Sequence, residues 1–393
     1  MRLHAAIVLV VVAPALCQDG ALVLRAFEQP PAGRAIGVNS QGVQVRSPQG
    51  DVVVVGWDRV LKVPQALHEA AEAYEQLALD SWRARSRLER GDLVLAEPVL
   101  QALFEASQNE SQPLRGPTGM MIAEGLVRTR LARGASTAAI EPWLAWIDAS
   151  IVRQPRTTFA HRAWASEAGL TTAIDPATEL SPWLPPIWLD SPALQLVFQL
   201  EPSEDERKKT SAMRALYQAA ARHESGERVD ALPEVPREAA VELVRDIVAA
   251  RVLDESARAS ARARLQAALA DANEPWRTAW IRAAIGRSLV LETDEEDRLR
   301  GVAQLLRVHV LHRGDLPGLA DVALAEAAVT LHELGQANAA RGLAHELMQD
   351  TGAIGATSAV LSWPKLAILL ERPSPTGSAA PSSTESATAG GPP

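Results

Sequence analysis

The chain is expected to be mainly α: a helix–turn–helix repeat array preceded by a small N-terminal β meander or barrel. Three observations predict this. From Gln65 onward apolar residues recur at helical spacing. Before Pro64, four short β-branched or alternating runs are separated by turn residues. Within the helical region a Leu-x-Arg-Gly pattern returns.

The first 17 residues read as an address. Arg2 precedes the apolar run Ala5–Val12, and the small residues Ala13 and Ala15 follow. This order predicts a secretory signal peptide over residues 1–17, cut after Ala15 or after Cys17. The run is too short to span a bilayer, and no later segment is apolar for long enough, so the mature chain is expected without a transmembrane segment. Cys17 opens a second reading, a lipid anchor. Against it stand Leu16 directly before the cysteine and Pro14 where an upstream Leu is wanted. With one cysteine in the chain, neither an internal disulfide nor a multi-cysteine metal site is possible.

Residues 18–63 are expected to form the β module. Its strands are Ala21–Leu24, Ala35–Val38, Val43–Arg46 and the β-branched run from Val52 to Trp57, with a turn at Ser47–Asp51. A module this short buries little area alone and should pack on the helices after Pro64.

Helical stripes then succeed one another: Leu67, Ala70, Tyr74 and Leu77; Leu95, Val99 and Leu103; Val241, Val244 and Val248; Trp276, Trp280 and Ala284. Between Asp175 and Pro202 six prolines interrupt them, and no long helix survives that density of proline. This connection is expected to separate a pair of helical lobes, residues 64–202 and 203–372. The Pro/Ser/Thr/Ala/Gly tail, 373–393, has nothing to bury and is expected to be disordered.

Leu88-Glu89-Arg90-Gly91 is echoed by Leu131-Ala132-Arg133-Gly134 and Leu311-His312-Arg313-Gly314. After the first two comes Glu-Pro-x-Leu, at Glu97–Leu100 and Glu141–Leu144. Arg suits the carbonyl end of a helix, Gly takes the left-handed cap, and Pro is tolerated where the next helix starts. With Leu334-Gly335-Gln336 followed by Ala340, and Arg90-Gly91-Asp92 followed by Ala96, the region 65–370 resembles the tetratricopeptide-like α-solenoid class. The spacing from Gly91 to Gly134 is 43 residues, against about 34 in that family. The resemblance implies stacked helix pairs whose concave face holds another protein, and implies no chemistry.

A direct search for chemistry gives the same expectation. His68-Glu69, His332-Glu333 and His345-Glu346 could each open a zinc-protease helix, but the second histidine, one turn on, is replaced by Glu72, Gln336 and Gln349. His309 and His312 share a helical face and would need a third ligand from elsewhere. Ser362 and Lys365 match Ser-x-x-Lys, but Pro364 works against the turn that would join them. There is no nucleophile elbow, phosphate loop or dinucleotide fingerprint. No catalytic residue, metal or cofactor is therefore expected. A net charge of −9 argues against nucleic acid and against anionic membrane surfaces.

Ten tryptophans against four Phe and two Tyr stand out. Trp143, Trp146, Trp183 and Trp188 either line an aromatic groove for a peptide or sugar, or fill the joints of an Ala/Leu core. The expected function is a non-catalytic interaction scaffold with a protein partner, exported to the periplasm or beyond. The Arg-rich, Lys-poor composition points to a bacterial source. The alternatives are a cell-envelope glycan- or peptidoglycan-binding protein, with the β module and exposed tryptophans as contact, and an envelope hydrolase with a pocket of scattered acids and histidines.

Overall fold

The computed structural model describes residues 21–109, 115–150, 173–202, 206–349 and 360–370. The expected signal peptide with its cleavage points, Cys17 and the 373–393 tail lie outside them.

The β module has five strands where four were expected: β1 Val23–Leu24, β2 Arg34–Asn39, β3 Gly42–Arg46, β4 Val52–Val55 and β5 Val60–Lys62. β2, β3 and β4 form an antiparallel meander, and β1 pairs separately with β5. The register sets Val43 opposite Val55 and Val45 opposite Val53, so the alternating side chains of β3 share one face. Val43, Val45, Val55, Val60 and Trp57 bury there together with Ala71 and Ala78 from the adjoining helices. The indole of Trp57 stacks on Tyr74 with centroids 5.2 Å apart.

Among the described residues, helices are the only regular secondary structure after Lys62. Residues 65–74 wind into short turns around α1 (His68–Ala71). The long helices are α2 (Glu75–Arg90), α3 (Leu93–Asn109), α4 (Gly116–Ala132), α5 (Ile140–Ala149), α7 (Lys208–Glu224), α8 (Ala239–Val252), α9 (Glu255–Ala270), α10 (Pro275–Leu289), α11 (Glu295–His312), α12 (Pro317–Glu333) and α13 (Ala337–Gln349). Two short ones, α6 (Gln195–Phe198) and α14 (Pro364–Leu370), complete the set. Successive helices pack on one another from α2 to α5 and from α7 to α13, as a helical-repeat fold requires.

The connections explain much of this order. Gly91 and Gly134 have φ of +81° and +76°, the left-handed cap that the Arg-Gly pattern predicts, and Gly335, which follows Leu334, takes the same conformation at +78°. Gly314 departs from the pattern. The chain at Arg313 stays helical, and the turn closes instead through the Leu316 amide on the His312 carbonyl, 2.7 Å away. Pro142 lies in the first turn of α5, but Pro98 sits inside α3 rather than at its start. The expected stripe on α3 is displaced too. Ala96, Leu100 and Phe104 are buried, while Leu95 is exposed. Both rows have the same period; Ala84 and Leu126, with which Ala96, Leu100 and Phe104 cluster, decide which one faces inward.

The array curves. α10 packs against both α8 and α12, whereas α9, α11 and α13 do not close up on one another in this way. Small residues allow the layers to meet: a Cβ on Gly301 of α11 would come 2.8 Å from the Gly286 carbonyl oxygen of α10. The main apolar core runs unbroken from Met120 to Leu369, straight across residue 202.

The β module is tied to the array by polar contacts. The Trp57 amide donates to Thr118 Oγ1 (2.9 Å), whose hydroxyl donates to the Gln41 carbonyl (2.7 Å). Buried Asp58 accepts from Arg85 at 2.7 Å, and Arg85 also reaches Glu89 at 2.9 Å. Asp58→Ala leaves a largely buried guanidinium with weaker compensation, and is expected to cost about 2–3 kcal/mol. Tryptic cleavage at Arg34 and Arg46 should accelerate severalfold while the helices stay resistant. Unchanged cleavage would show that the pair does not anchor the module.

Candidate functional site

One face of the array, formed by α5, α7 and α10, is covered by the chain itself. α8, α9, α11 and α12 take up most of the surface of α10. α10 also meets the proline-rich connection, a strap spanning residues 175–200. Loops normally run over the surface because their carbonyls and amides need water. This one does not. Leu180, Leu184, Ile187 and Leu189 are buried, as are Pro182, Pro185 and Pro186.

Side chains of the helices replace the missing water. Trp143 Nε1 of α5 donates to the Glu179 carbonyl at 2.9 Å. From α7, Lys209 Nζ donates to the Thr178 carbonyl at 3.2 Å and the Tyr217 hydroxyl to that of Leu184. From α10, Trp280 Nε1 donates to the Pro182 carbonyl at 2.9 Å and Arg287 to that of Trp188 at 2.8 Å. At the far end Gln218 Nε2 donates to the Leu200 carbonyl at 2.9 Å. Lys209 also pairs with buried Glu179 at 2.6 Å.

Arg287 belongs to a closed ring of four charges. It reaches Glu326 of α12 at 2.5 Å and Glu224 of α7 at 3.1 Å. Arg251 of α8 reaches Glu224 at 3.0 Å and Glu326 at 2.9 Å. Side-chain exposure is 3% for Arg287, 6% for Glu326, 10% for Glu224 and 17% for Arg251, so the ring is largely out of water but charge-balanced. Burial pushes the Glu224 carboxyl up, but Arg251 and then Arg287 outweigh it and hold it at about 2. Such a ring rigidifies; every member is occupied by its neighbours.

Of the four tryptophans singled out in the sequence, Trp143 and Trp146 are fully buried. Trp183 and Trp188 lie in the strap, partly buried against the main core. The Trp188 ring meets Tyr217 edge-on at 5.6 Å, and Trp143 meets the same ring at 5.1 Å. Trp143, Trp188 and Tyr217 thus form one aromatic joint between α5, the strap and α7. Trp146 packs elsewhere in the core, and its Nε1 has no hydrogen-bond partner among the described residues.

His309 and His312 are both buried on α11. His309 Nε2 lies 3.1 Å from Glu346 Oε1, while neither ring nitrogen of His312 has a partner among the described residues. Among those residues no group of three or more His, Cys, Asp or Glu side chains is placed to hold a metal ion. Burial depresses His312 below its usual 6.5, with Asp315 opposing and Arg282 adding to the shift; burial depresses His223 likewise. Folded protein therefore keeps these rings neutral where the unfolded chain takes up protons. Stability is full above about pH 6.5 and falls as pH drops below it. His312→Phe should flatten the dependence of the urea midpoint between pH 7.5 and 5.5, with His223 supplying the remainder. An unaltered slope would exclude His312 as a contributor.

A cleft of about 1210 Å³ opens beside the β module, between Pro30, Pro31, Ala35, Val45, Pro64 and Leu67. Among the described residues Arg34 and Arg46 supply its only charges, so the paired acids or histidines of a hydrolase site do not line it. Among the described residues no helix is long and apolar enough to cross a membrane.

Compared with known proteins, the chain matches no protein-family model, and neither a curated protein nor a solved structure is detectably similar to it. The site is therefore read from its own geometry.

Sequence reasoning singled out Trp143, which holds the strap, and Trp183 and Trp188 within it, but missed Lys209, Tyr217, Arg287 and the other members of the charge ring. A signal was present. Arg287 continues the Trp280–Ala284 stripe by three residues, and Arg251 continues Val244–Val248 in the same way. A charge at a core position of a helix needs a buried partner.

Proposed function

We propose that the protein is an exported, non-catalytic scaffold that binds another protein. One observation carries this reading: helix after helix, from α4 to α14, stacks on a single continuous core. That architecture holds an extended surface in a fixed shape. The side chains with most chemistry to offer support it, since the buried charges close on one another and the buried indoles of Trp143 and Trp280 are bonded to the chain's own carbonyls. The leader-like residues 1–17, with a cut after Ala15 or Cys17, support export from a bacterial cytoplasm.

The test is capture from an envelope extract of the source organism with residues 18–393 as bait. A protein recovered in stoichiometric amount, and competed away by untagged chain, is the expected result. Recovery of wall glycan alone, or of nothing, would overturn the reading.

A further inference from the structure

The strap is held as a ligand is held. Apart from the short helices over 192–198, the main chain of residues 175–200 makes only scattered turn hydrogen bonds, such as the Leu184 amide to the Ser181 carbonyl at 3.0 Å. Trp143, Lys209, Tyr217, Gln218, Trp280 and Arg287 supply most of the others, always as donors to strap carbonyls. Proline accounts for that polarity. It has no N–H, so a proline-rich chain presents acceptors and few donors. A groove lined with donors fits such a chain and would leave the amides of an ordinary strand unmatched. The rings of Trp143 and Tyr217 complete the likeness, because extended proline-rich segments are commonly recognised by aromatic grooves that exploit their low conformational entropy. The fit of the strap is imperfect. Ser181 Oγ and Trp183 Nε1 are buried without a partner among the described residues, leaving room for a segment that binds better.

We propose that the face of the array built by α5, α7 and α10 is a receptor groove for a proline-rich segment of a partner protein, and that residues 178–189 fill it in cis and regulate access. This rests on the scaffold reading and names the class of partner.

The experiment uses the full mature chain with a protease site inserted between Glu201 and Pro202, both exposed. Cutting frees one end of the strap and removes nothing. A fluorescent peptide of residues 176–190 is then titrated against cut and uncut protein. Saturable binding to the cut form only, with a Kd on the order of micromolar, is expected, and Trp280→Phe combined with Tyr217→Phe should weaken it about tenfold. No binding to a cut protein that keeps its helical circular dichroism would overturn the proposal. If cutting unfolds the chain, the uncut variant Ile187→Ser, which loosens the strap, decides instead: peptide binding supports the groove and its absence overturns it. These are purified components, so a failure here leaves the scaffold reading to the capture experiment. Peptide binding with an empty capture would keep the groove and remove the scaffold.

Discussion

Arg287→Met is expected to lower the free energy of unfolding by about 3–5 kcal/mol, as found when one partner of a buried ion pair is removed. Three effects combine. Glu326 loses its 2.5 Å partner, Glu224 loses one of two arginines, and the Trp188 carbonyl loses its donor. The ring goes from neutral to a net negative charge in a place with little water. Equilibrium urea unfolding measures the loss. The charge-balanced double variant Arg287→Met/Glu326→Leu should recover some of it, since it leaves one ion pair intact. Acid sensitivity gives a second readout. In the wild type Glu224 is held at about 2 against its ordinary 4.5, so its contribution is complete above pH 4.5 and is lost as pH falls toward 2. Without Arg287 the folded carboxyl moves back toward its ordinary value, so the acid-sensitive contribution should shrink and its loss should be complete at higher pH. A single variant within about 1 kcal/mol of wild type would mean that the site relaxes and admits water.

Trp280→Ala should cost a similar amount, about 3–5 kcal/mol. Trp280 is fully buried, meets Trp276 edge-on at 5.1 Å and donates to the Pro182 carbonyl 98 residues away. Removing it opens a cavity beneath the strap and strands a carbonyl. Trp280→Phe separates the two effects: it keeps most of the volume, loses the N–H, and is expected to cost about 1–3 kcal/mol. Equal losses for both variants would place the whole effect in the hydrogen bond.

Much of the architecture was legible because its causes are local. Left-handed glycine at 91, 134 and 335 follows from helix ends that the neighbouring residues specify. The boundary near Pro64 follows from a change in hydrophobic period. The face of α3 was not legible, since Leu95–Val99–Leu103 and Ala96–Leu100–Phe104 are equally periodic and the choice is made by α2 and α4. The strap was harder still. Prolines announce the absence of a helix, which is correct over residues 181–189, but they carry no information on depth. Depth here depends on Trp143, Tyr217, Trp280 and Arg287, which lie on three helices up to about a hundred residues away. The four tryptophans drew attention as a possible binding surface, and the two on α5 are fully buried.

The strap also changes how this array can assemble. Stacked repeats ordinarily fold by nearest-neighbour steps, so that each unit is stable once the next has docked. Here the carbonyls of Pro182 and Trp188 wait for Trp280 and Arg287, 98 and 99 residues further on. At ribosomal rates of about 5–20 residues per second, that delay lasts on the order of 5–20 seconds. During it α5 and α7 have no complete floor to pack upon. Unfolding should reverse the dependence: fraying of α10 releases the strap and with it the joint at Tyr217. The molecule is therefore expected to melt as one unit rather than peel from its ends.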